Sequence, residues 1–278
     1  MTLRDRIRRL RMYYKSARLF REELADPAAV RWLPWLPADR TVELAFRSGN
    51  RRVIKAAHWP DLPAACRLER AGFDFDFLAD RKRVRVDGLV FDSPLWARDE
   101  EEYYREVFRD DVYGIRGRDL TGRTVVDIGA FVGDTAVAFA RAGATVHAFE
   151  PSAGLCAFLR ANIQANGVAD RVILHAVGLD KKTFQTERRG DQLNFAEAVS
   201  YALERLPRNI DLLKIDCEGG EYHLLADPRF LAHLAPREIR LEYHHGPEGV
   251  VAPLRRQGYT AQVEPRDPQF GLIEALRA

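Results

Sequence analysis

The stretch TVVDIGAFVGDTAVAFARAGATVHAFEPS, residues 124–152, decides the fold. A short apolar run, TVVDI, turns through Gly129 into DTAVAFARAG, a run of small residues with a helix period. A second apolar run, TVHAF, follows and ends at Glu150. Strand, tight turn, helix and strand at this spacing predict two parallel strands joined by a right-handed crossover. The pattern continues downstream. SAGLCAFLRANIQANG reads as a helix closed by Asn-Gly, RVILHAVG as a strand and FAEAVSYALERL as a helix. DLLKID, REIRLEYH, YTAQVE and FGLIEAL read as strands, and EGGEYHLLADPRFLAHL and PEGVVAPLRRQG as helices. Strands alternating with helices predict an α/β protein with a mostly parallel sheet covered on both faces. Such sheets bind ligands beyond the carboxyl ends of their strands, at the point where strand order reverses.

Upstream the texture differs, and residues 1–110 are expected to form a small α+β extension ahead of a main domain spanning 111–278. DPAAVRWLPWLPADR, with three prolines, reads as an irregular connector. TVELAFRSGNRRVIKAA predicts a hairpin around Ser-Gly-Asn. FDFDFLADRKRVRVDGLVF alternates apolar and charged residues, as a half-exposed antiparallel unit does, with Phe73, Phe75 and Phe77 on one face. Residues 98–114 predict a helix ending at Gly114. The first 24 residues hold eight Arg or Lys against three acids. Leu3, Ile7, Leu10 and Tyr14 recur there at helical steps, so this segment is either a basic surface for a membrane, nucleic acid or partner, or a packed helix with solvated arginines.

Composition narrows the class. The chain of 278 residues is 46% apolar with a net charge of +2, enough for a real core and too balanced to argue for nucleic acid from the total. No stretch reaches the eighteen apolar residues of a membrane span, and MTLRDRIRRLRMYYKSARLF has neither the apolar core nor the cleavage site of a secretory leader. Three scattered cysteines, Cys66, Cys156 and Cys217, exclude a disulfide scaffold and fit a cytoplasmic protein.

The bend after the first strand points to a nucleoside ligand. Gly129 permits a sharp turn and Gly133 a close approach of the backbone. Glu150 lies 21 positions beyond Gly129, where an acid accepts hydrogen bonds from ribose hydroxyls. The dinucleotide pattern G-x-G-x-x-G fails, because Phe131 holds the middle glycine's place. Asp127 and Asp134 flank the turn, and they repel a pyrophosphate and attract a cation. A cationic ligand with ammonium and sulfonium groups, S-adenosylmethionine, fits. Asp134 is placed at the expected N-cap of the following helix.

VVDIGAFVGDTAVAFARAGATVHAFEPS together with IDLLKIDCEGGEYHLL resembles the FkbM family of S-adenosylmethionine-dependent methyltransferases over roughly residues 105–276. The first block carries the family's D-I-G-A-x-x-G-D motif and the second its L-K-I-D-x-E-G-x-E run. The resemblance implies a Rossmann-like class I sheet of seven strands, the last antiparallel, and methyl transfer to hydroxyls of sugars or other small metabolites. Carried over, Asp127, Gly129, Ala130, Gly133, Asp134 and Thr135 surround the methionine part. Glu150 holds the ribose, and Pro151 and Ser152 lie beside the adenosine. The third strand ends at Ala176-Val177 without the acid or amide common in methyltransferases, leaving adenine to packing and backbone contacts at Val177. Tyr113, just ahead of the first strand, is a candidate lid on the cofactor.

Methyl transfer to a hydroxyl needs an aligned acceptor and a group to take its proton. The fourth strand offers Lys214, Asp216, Glu218 and Glu221, and the fifth Glu242, His244 and His245. Asp216, Glu218, Glu242 and His244 form the candidate set for proton removal and acceptor orientation. Lys214 inside an apolar strand reads as an ion-pair partner, Glu221 as an early-helix acid or a site residue, and His245 as a turn residue. Asp216, Glu242 and His244 are also of a type that holds a divalent ion, although no metal is assigned. His147, His175, His223 and His233 read as packing or surface residues. The other function classes kept open are an RNA methyltransferase docking through its basic first helix and a binding module without activity.

Overall fold

The computed structural model describes residues 3–78, 80–95, 100–180, 198–200 and 206–277. The chain divides into two compact units, Met1–Arg105 and Glu106–Ala278.

The first unit opens with helix α1, Leu3–Glu23. Its buried anchors lie in the last turn and just beyond it, at Phe20 and Leu24, while Tyr14 is 69% exposed and does not serve as part of a packed stripe. The Pro-rich connector folds as two single 3₁₀ turns, Ala29–Arg31 and Leu33–Trp35. The hairpin forms as expected, β1 (Thr41–Ala45) pairing antiparallel with β2 (Arg51–Lys55). Helix α2, Leu62–Arg70, has Pro63 in its first turn and buries Leu62, Ala65, Cys66 and Leu68. Its Arg70 bonds Glu22 and Glu23 of α1. The alternating segment becomes a three-stranded antiparallel sheet of β3 (Asp74–Phe77), β4 (Arg81–Val86) and β5 (Leu89–Pro94). Phe73, Phe75, Val84 and Phe91 bury one side, together with Tyr104 of α3 (Glu100–Arg105).

The helix expected over 98–114 stops earlier. It widens into a π-helical turn, Glu106–Asp110. Asp111 then adopts φ 53° and its carboxylate accepts the N–H groups of Ile115 and Arg116, a local alternative to helix continuation.

The second unit carries β6 (Thr124–Ile128), α4 (Asp134–Arg141), β7 (Thr145–Phe149), α5 (Ala153–Ala165) and β8 (Val172–His175). There follow β9 (Gly178–Asp180), β10 (Ala198–Ser200), β11 (Leu212–Ile215), α6 (Gly220–Leu225), α7 (Pro228–Leu234), β12 (Glu238–Tyr243), α8 (Glu248–Arg256), β13 (Tyr259–Pro265) and β14 (Gly271–Arg277). Seven strands make one sheet in the order β13-β14-β12-β11-β6-β7-β8. Only β14 runs antiparallel to its neighbours, as a Rossmann-like class I methyltransferase sheet requires. Strand order reverses between β6 and β11, so the ends of these two strands frame the crevice. Two expectations are corrected. Ala198–Ser200, inside the segment read as a helix, is a short strand pairing with Gly178–Asp180, and residues 195–197 and 201–205 lie outside the described ones. Backbone partners in β9 outweigh a weak helical period. The helix over 218–234 is two helices, because Asp227 caps a new start through Arg229 N–H and Pro228 takes its first position.

The core on one face of the sheet joins Val126, Ile128, Leu213, Ile215 and Ile239 to Leu224, Phe230 and Leu254. That burial leaves the other face of β6, β11 and β12 to bring Asp127, Lys214, Asp216 and Glu242 together. Among the described residues, no helix is long and apolar enough to cross a membrane.

Candidate active site

The bend after β6 is built on close approach. Gly129 sits at φ 81°, and a Cβ there would lie 1.7 Å from the carbonyl oxygen of Asp216, so only glycine lets the β6 bend meet the end of β11. Phe131 takes φ 48° and its N–H donates to Glu150 Oε2 at 3.1 Å. Gly133, at φ 92°, is the N-cap of α4, and Asp134 is the first helical residue instead of the cap. The chain needs a left-handed residue to enter that helix, and glycine supplies it without strain. Asn162 of α5 reaches back to donate to Val132 O at 2.8 Å, fixing the loop from behind.

Three carboxylates line this end. Asp127 is fully buried, accepts from Thr135 Oγ1 at 2.6 Å and lies 3.1 Å from Lys214 Nζ. Lys214 also donates to Gly129 O at 2.7 Å, so it is an internal ion-pair partner, as its apolar strand predicts. Burial works against its charge, but Asp127, Asp216 and Asp134 raise its pKa above the ordinary value. Burial pushes Asp134 up to about 7, opposed by Lys214. Burial likewise pushes Glu150 up to about 7 although its oxygens accept the N–H groups of Ser152 and Phe131. Ser152 caps α5 through Leu155 N–H. Ala130 is buried and its N–H donates to Phe149 O. Val177 packs against the core at the far side. His147 and His175 stack there with ring nitrogens 3.2 Å apart, and His175 also stacks on Phe149.

The chemistry end gathers on β11, α6 and β12. Asp216, Glu242 and His244 each point one ligating atom into a group within 4.8 Å. His244 Nε2 lies 3.4 Å from Glu242 Oε1 and 3.8 Å from Asp216 Oδ1. Tyr113 is buried and its hydroxyl donates to Asp216 Oδ2 at 3.4 Å, its ring 5.5 Å from Lys214 Nζ. Burial first, then Asp216 and the other carboxylates, raise the Tyr113 phenol and keep it neutral. Burial and the neighbouring Asp216 also push Glu242 upward. Glu218 stands apart: it is exposed on the turn at φ 55° and outside this group. His245 stacks on Tyr222, whose hydroxyl accepts its N–H, a turn contact. The Asp216, Glu242 and His244 trio has the donor types for a divalent cation, and the bend has the buried carboxylates and the glycine-lined approach that suit a cationic nucleoside.

Two contributors to the site carry little signal in the sequence. Glu221 is wholly buried and bonds His244, which an early-helix acid does not announce. Asn162 sits on a helix thirty residues from its partner, and only a buried amide in an otherwise apolar pattern marks it.

This sheet order, with acids at the ends of its first, second, fourth and fifth strands, defines a class I methyltransferase dependent on S-adenosylmethionine. The profile described as "Methyltransferase FkbM domain" matches residues 196–273. The 31-O-demethyl-FK506 methyltransferase FkbM of Streptomyces tacrolimicus is 33% identical over 224 residues, 62% of this chain and 85% of that protein. The chain belongs to the FkbM methyltransferase family. Among solved structures, precorrin-6y C5,15-methyltransferase from Geobacter metallireducens GS-15 matches with TM-score 0.42 and 16% identity, over 60% of this chain and 85% of that one. M. jannaschii TYW2 in complex with AdoMet matches with TM-score 0.45 and 13% identity, over 73% and 89%.

Proposed function

We propose that this enzyme methylates a hydroxyl of a small polar acceptor, such as a sugar. The observation that carries it is the convergence of Asp216, Glu242 and His244 beside the bend that Gly129 brings against Asp216. S-adenosylmethionine, when bound, supplies an electrophilic methyl on a sulfonium. Asp127, Asp134 and Thr135, with Gly129, Ala130 and Gly133, hold its amino-acid end and favour its positive charge. Glu150 accepts from the ribose hydroxyls, Pro151, Ser152 and Val177 flank the adenosine, and Tyr113 closes over the crevice. Asp216 and Glu242 would orient the acceptor hydroxyl, and one of the two would take its single proton; the cofactor would supply the methyl, its methyl–sulfur bond breaking as the oxygen–carbon bond forms and the neutral thioether leaving. Glu218, on the exposed turn after β11, is the remaining candidate for orienting the acceptor.

A cavity of about 360 Å³ touches Tyr113 and includes Asp110, Asp111, Glu264 and Glu274 against Arg240 and Arg266. A phosphate backbone would meet four acids against two bases there. A neutral hydroxylated acceptor carries no charge for these acids to repel. The compartment expected for such chemistry is the cytoplasm. Incubation with methyl-labelled cofactor and fractionated small metabolites tests the proposal: a methyl ether on a hydroxylated metabolite supports it, and label on an RNA base nitrogen overturns it.

A further inference from the structure

The ends of β11 and β12 gather three ligating atoms that do not satisfy one another. His244 Nε2 lies 3.4 Å from Glu242 Oε1 and 3.8 Å from Asp216 Oδ1. Both separations exceed an ordinary hydrogen bond of about 2.7–3.2 Å. They leave room for a shared centre about 2–2.4 Å from each atom, the range of metal–ligand bonds. A proton shared by Glu242 and His244 would draw that pair to hydrogen-bond distance and would not engage Asp216. Two further observations point to a ligand. The Glu242 side chain is only 9% exposed, and among the described residues its carboxylate meets no donor besides His244. Asp216 and Glu106 add negative charge around it, and a buried carboxylate so placed is costly without a cation. Glu221, fully buried, decides which histidine nitrogen faces inward. Its Oε2 accepts Gly219 N–H at 2.9 Å, and its Oε1 accepts the backbone N–H and the Nδ1–H of His244. Nε2 therefore turns its lone pair toward Asp216 and Glu242, as a metal-bound histidine does when a carboxylate holds its other nitrogen.

We propose that Asp216 Oδ1, Glu242 Oε1 and His244 Nε2 bind one divalent first-row cation such as Mn²⁺, and that this cation holds the acceptor's hydroxyl. The inference rests on the methyl-transfer site proposed above and adds a cation to it. One imidazole with two carboxylates favours such an ion over Mg²⁺ or Ca²⁺, which take oxygen ligands. Three protein ligands leave coordination positions open for the acceptor's oxygen. The neighbouring groups frame the set without entering it. Tyr113 donates to Asp216 Oδ2, and Lys214, 4.0 Å from the same oxygen, is committed to Asp127, so Oδ1 is left facing Nε2. Glu106 is paired with Arg266, and the Phe270 ring stands 5.9 Å from the His244 ring. A hydroxyl on the cation gives up its proton more readily, and the proton passes to a carboxylate oxygen that the cation does not engage. The oxygen–carbon bond then forms as the methyl–sulfur bond breaks, its electron pair leaving with the neutral thioether.

The test adds Mn²⁺ to the full chain after chelator treatment and needs no acceptor. Electron paramagnetic resonance is expected to count one bound ion per chain, with echo modulation from a single imidazole nitrogen. No binding at millimolar Mn²⁺, or a bound ion without that nitrogen, overturns the site. D216N and E242Q are each expected to weaken Mn²⁺ binding by at least about a hundredfold, and E221Q by about tenfold through His244. E218Q removes the exposed acid of the same turn and is expected to leave the affinity unchanged. Equal losses in E218Q and E242Q would mark a diffuse acidic surface and overturn the site. If E242Q does not fold, D216N and H244Q decide: lost binding supports the site and retained affinity overturns it. Two outcomes separate the cation from the methyl-transfer reading. Methyl-ether formation that persists in excess chelator removes the cation alone. Mn²⁺ bound as expected, with label only on a base nitrogen, removes the hydroxyl acceptor and leaves the metal site.

Discussion

The two ends of the crevice are both rich in buried carboxylates, yet they balance that charge differently. At the chemistry end a histidine answers the acids: His244 stands among Glu221, Glu242 and Asp216, and against the pull of burial their hydrogen bonds and charge raise its pKa. At the cofactor end Lys214 is committed to Asp127 and Gly129, while Asp134 and Glu150 rest mainly on backbone N–H groups and are pushed up to about 7 by burial. A site that keeps acids poised near neutrality is prepared for positive charge that arrives with a ligand. A site that sets a histidine among carboxylates offers hydrogen-bonding groups to a neutral hydroxyl. The division matches a reaction in which the positively charged partner enters on one side and the acceptor on the other.

The contrast can be broken most forcefully at Asp216. Asp216→Ala is expected to slow methyl transfer by about 10²- to 10⁴-fold, the range for a positioned proton acceptor, with cofactor affinity nearly unchanged in calorimetry. Comparable losses of rate and cofactor affinity would merge the two ends. Next comes Asp127→Ala, which strands the buried Lys214 ammonium and is expected to cost about 3–5 kcal/mol in denaturant unfolding. Unaltered stability would mean that Lys214 is balanced by another group. Glu150→Ala removes the proposed acceptor of the ribose hydroxyls and is expected to weaken cofactor binding by about tenfold to a hundredfold, with the acceptor's KM unmoved.

The smallest effect is one of pH. The folded values of Asp134 and Glu150 lie above their ordinary ones, so their burial stabilises the apoprotein most at acid pH, and that contribution is lost as pH rises toward 7. A cationic ligand acts in the opposite sense. The rise in Tm on adding S-adenosylmethionine is therefore expected to be larger at pH 8 than at pH 5.5, and S-adenosylhomocysteine, without the sulfonium charge, to show a weaker trend. A cofactor-induced shift independent of pH would show that these two carboxyls do not sense the ligand.

Much of the cofactor end was legible because it is local in sequence. Gly129, Gly133 and Glu150 are spaced by one strand–helix–strand unit, and both sheet strands fell where the apolar runs placed them. The placement of Asp134 as a cap failed for a backbone reason: the left-handed entry to α4 required Gly133 there. The chemistry end was legible in residue type but not in partnership. Glu221 and His244 are 23 positions apart and meet only because β11 and β12 pair in register and α6 turns back over their ends. Composition likewise could not show that Glu218 faces outward on a turn while Glu221, three residues on, is sealed inside. Where a short strand is held by backbone partners alone, as at Ala198–Ser200, side-chain periodicity misleads.

Titration calorimetry of the native chain with S-adenosylmethionine, in two buffers of different ionisation enthalpy at pH 7, tests the central claim most directly. The account predicts binding accompanied by proton release, as carboxyls at the bend give up protons to accommodate the sulfonium and ammonium. Preferential binding of NADH or a nucleoside triphosphate in that crevice, with S-adenosylmethionine excluded, would contradict it.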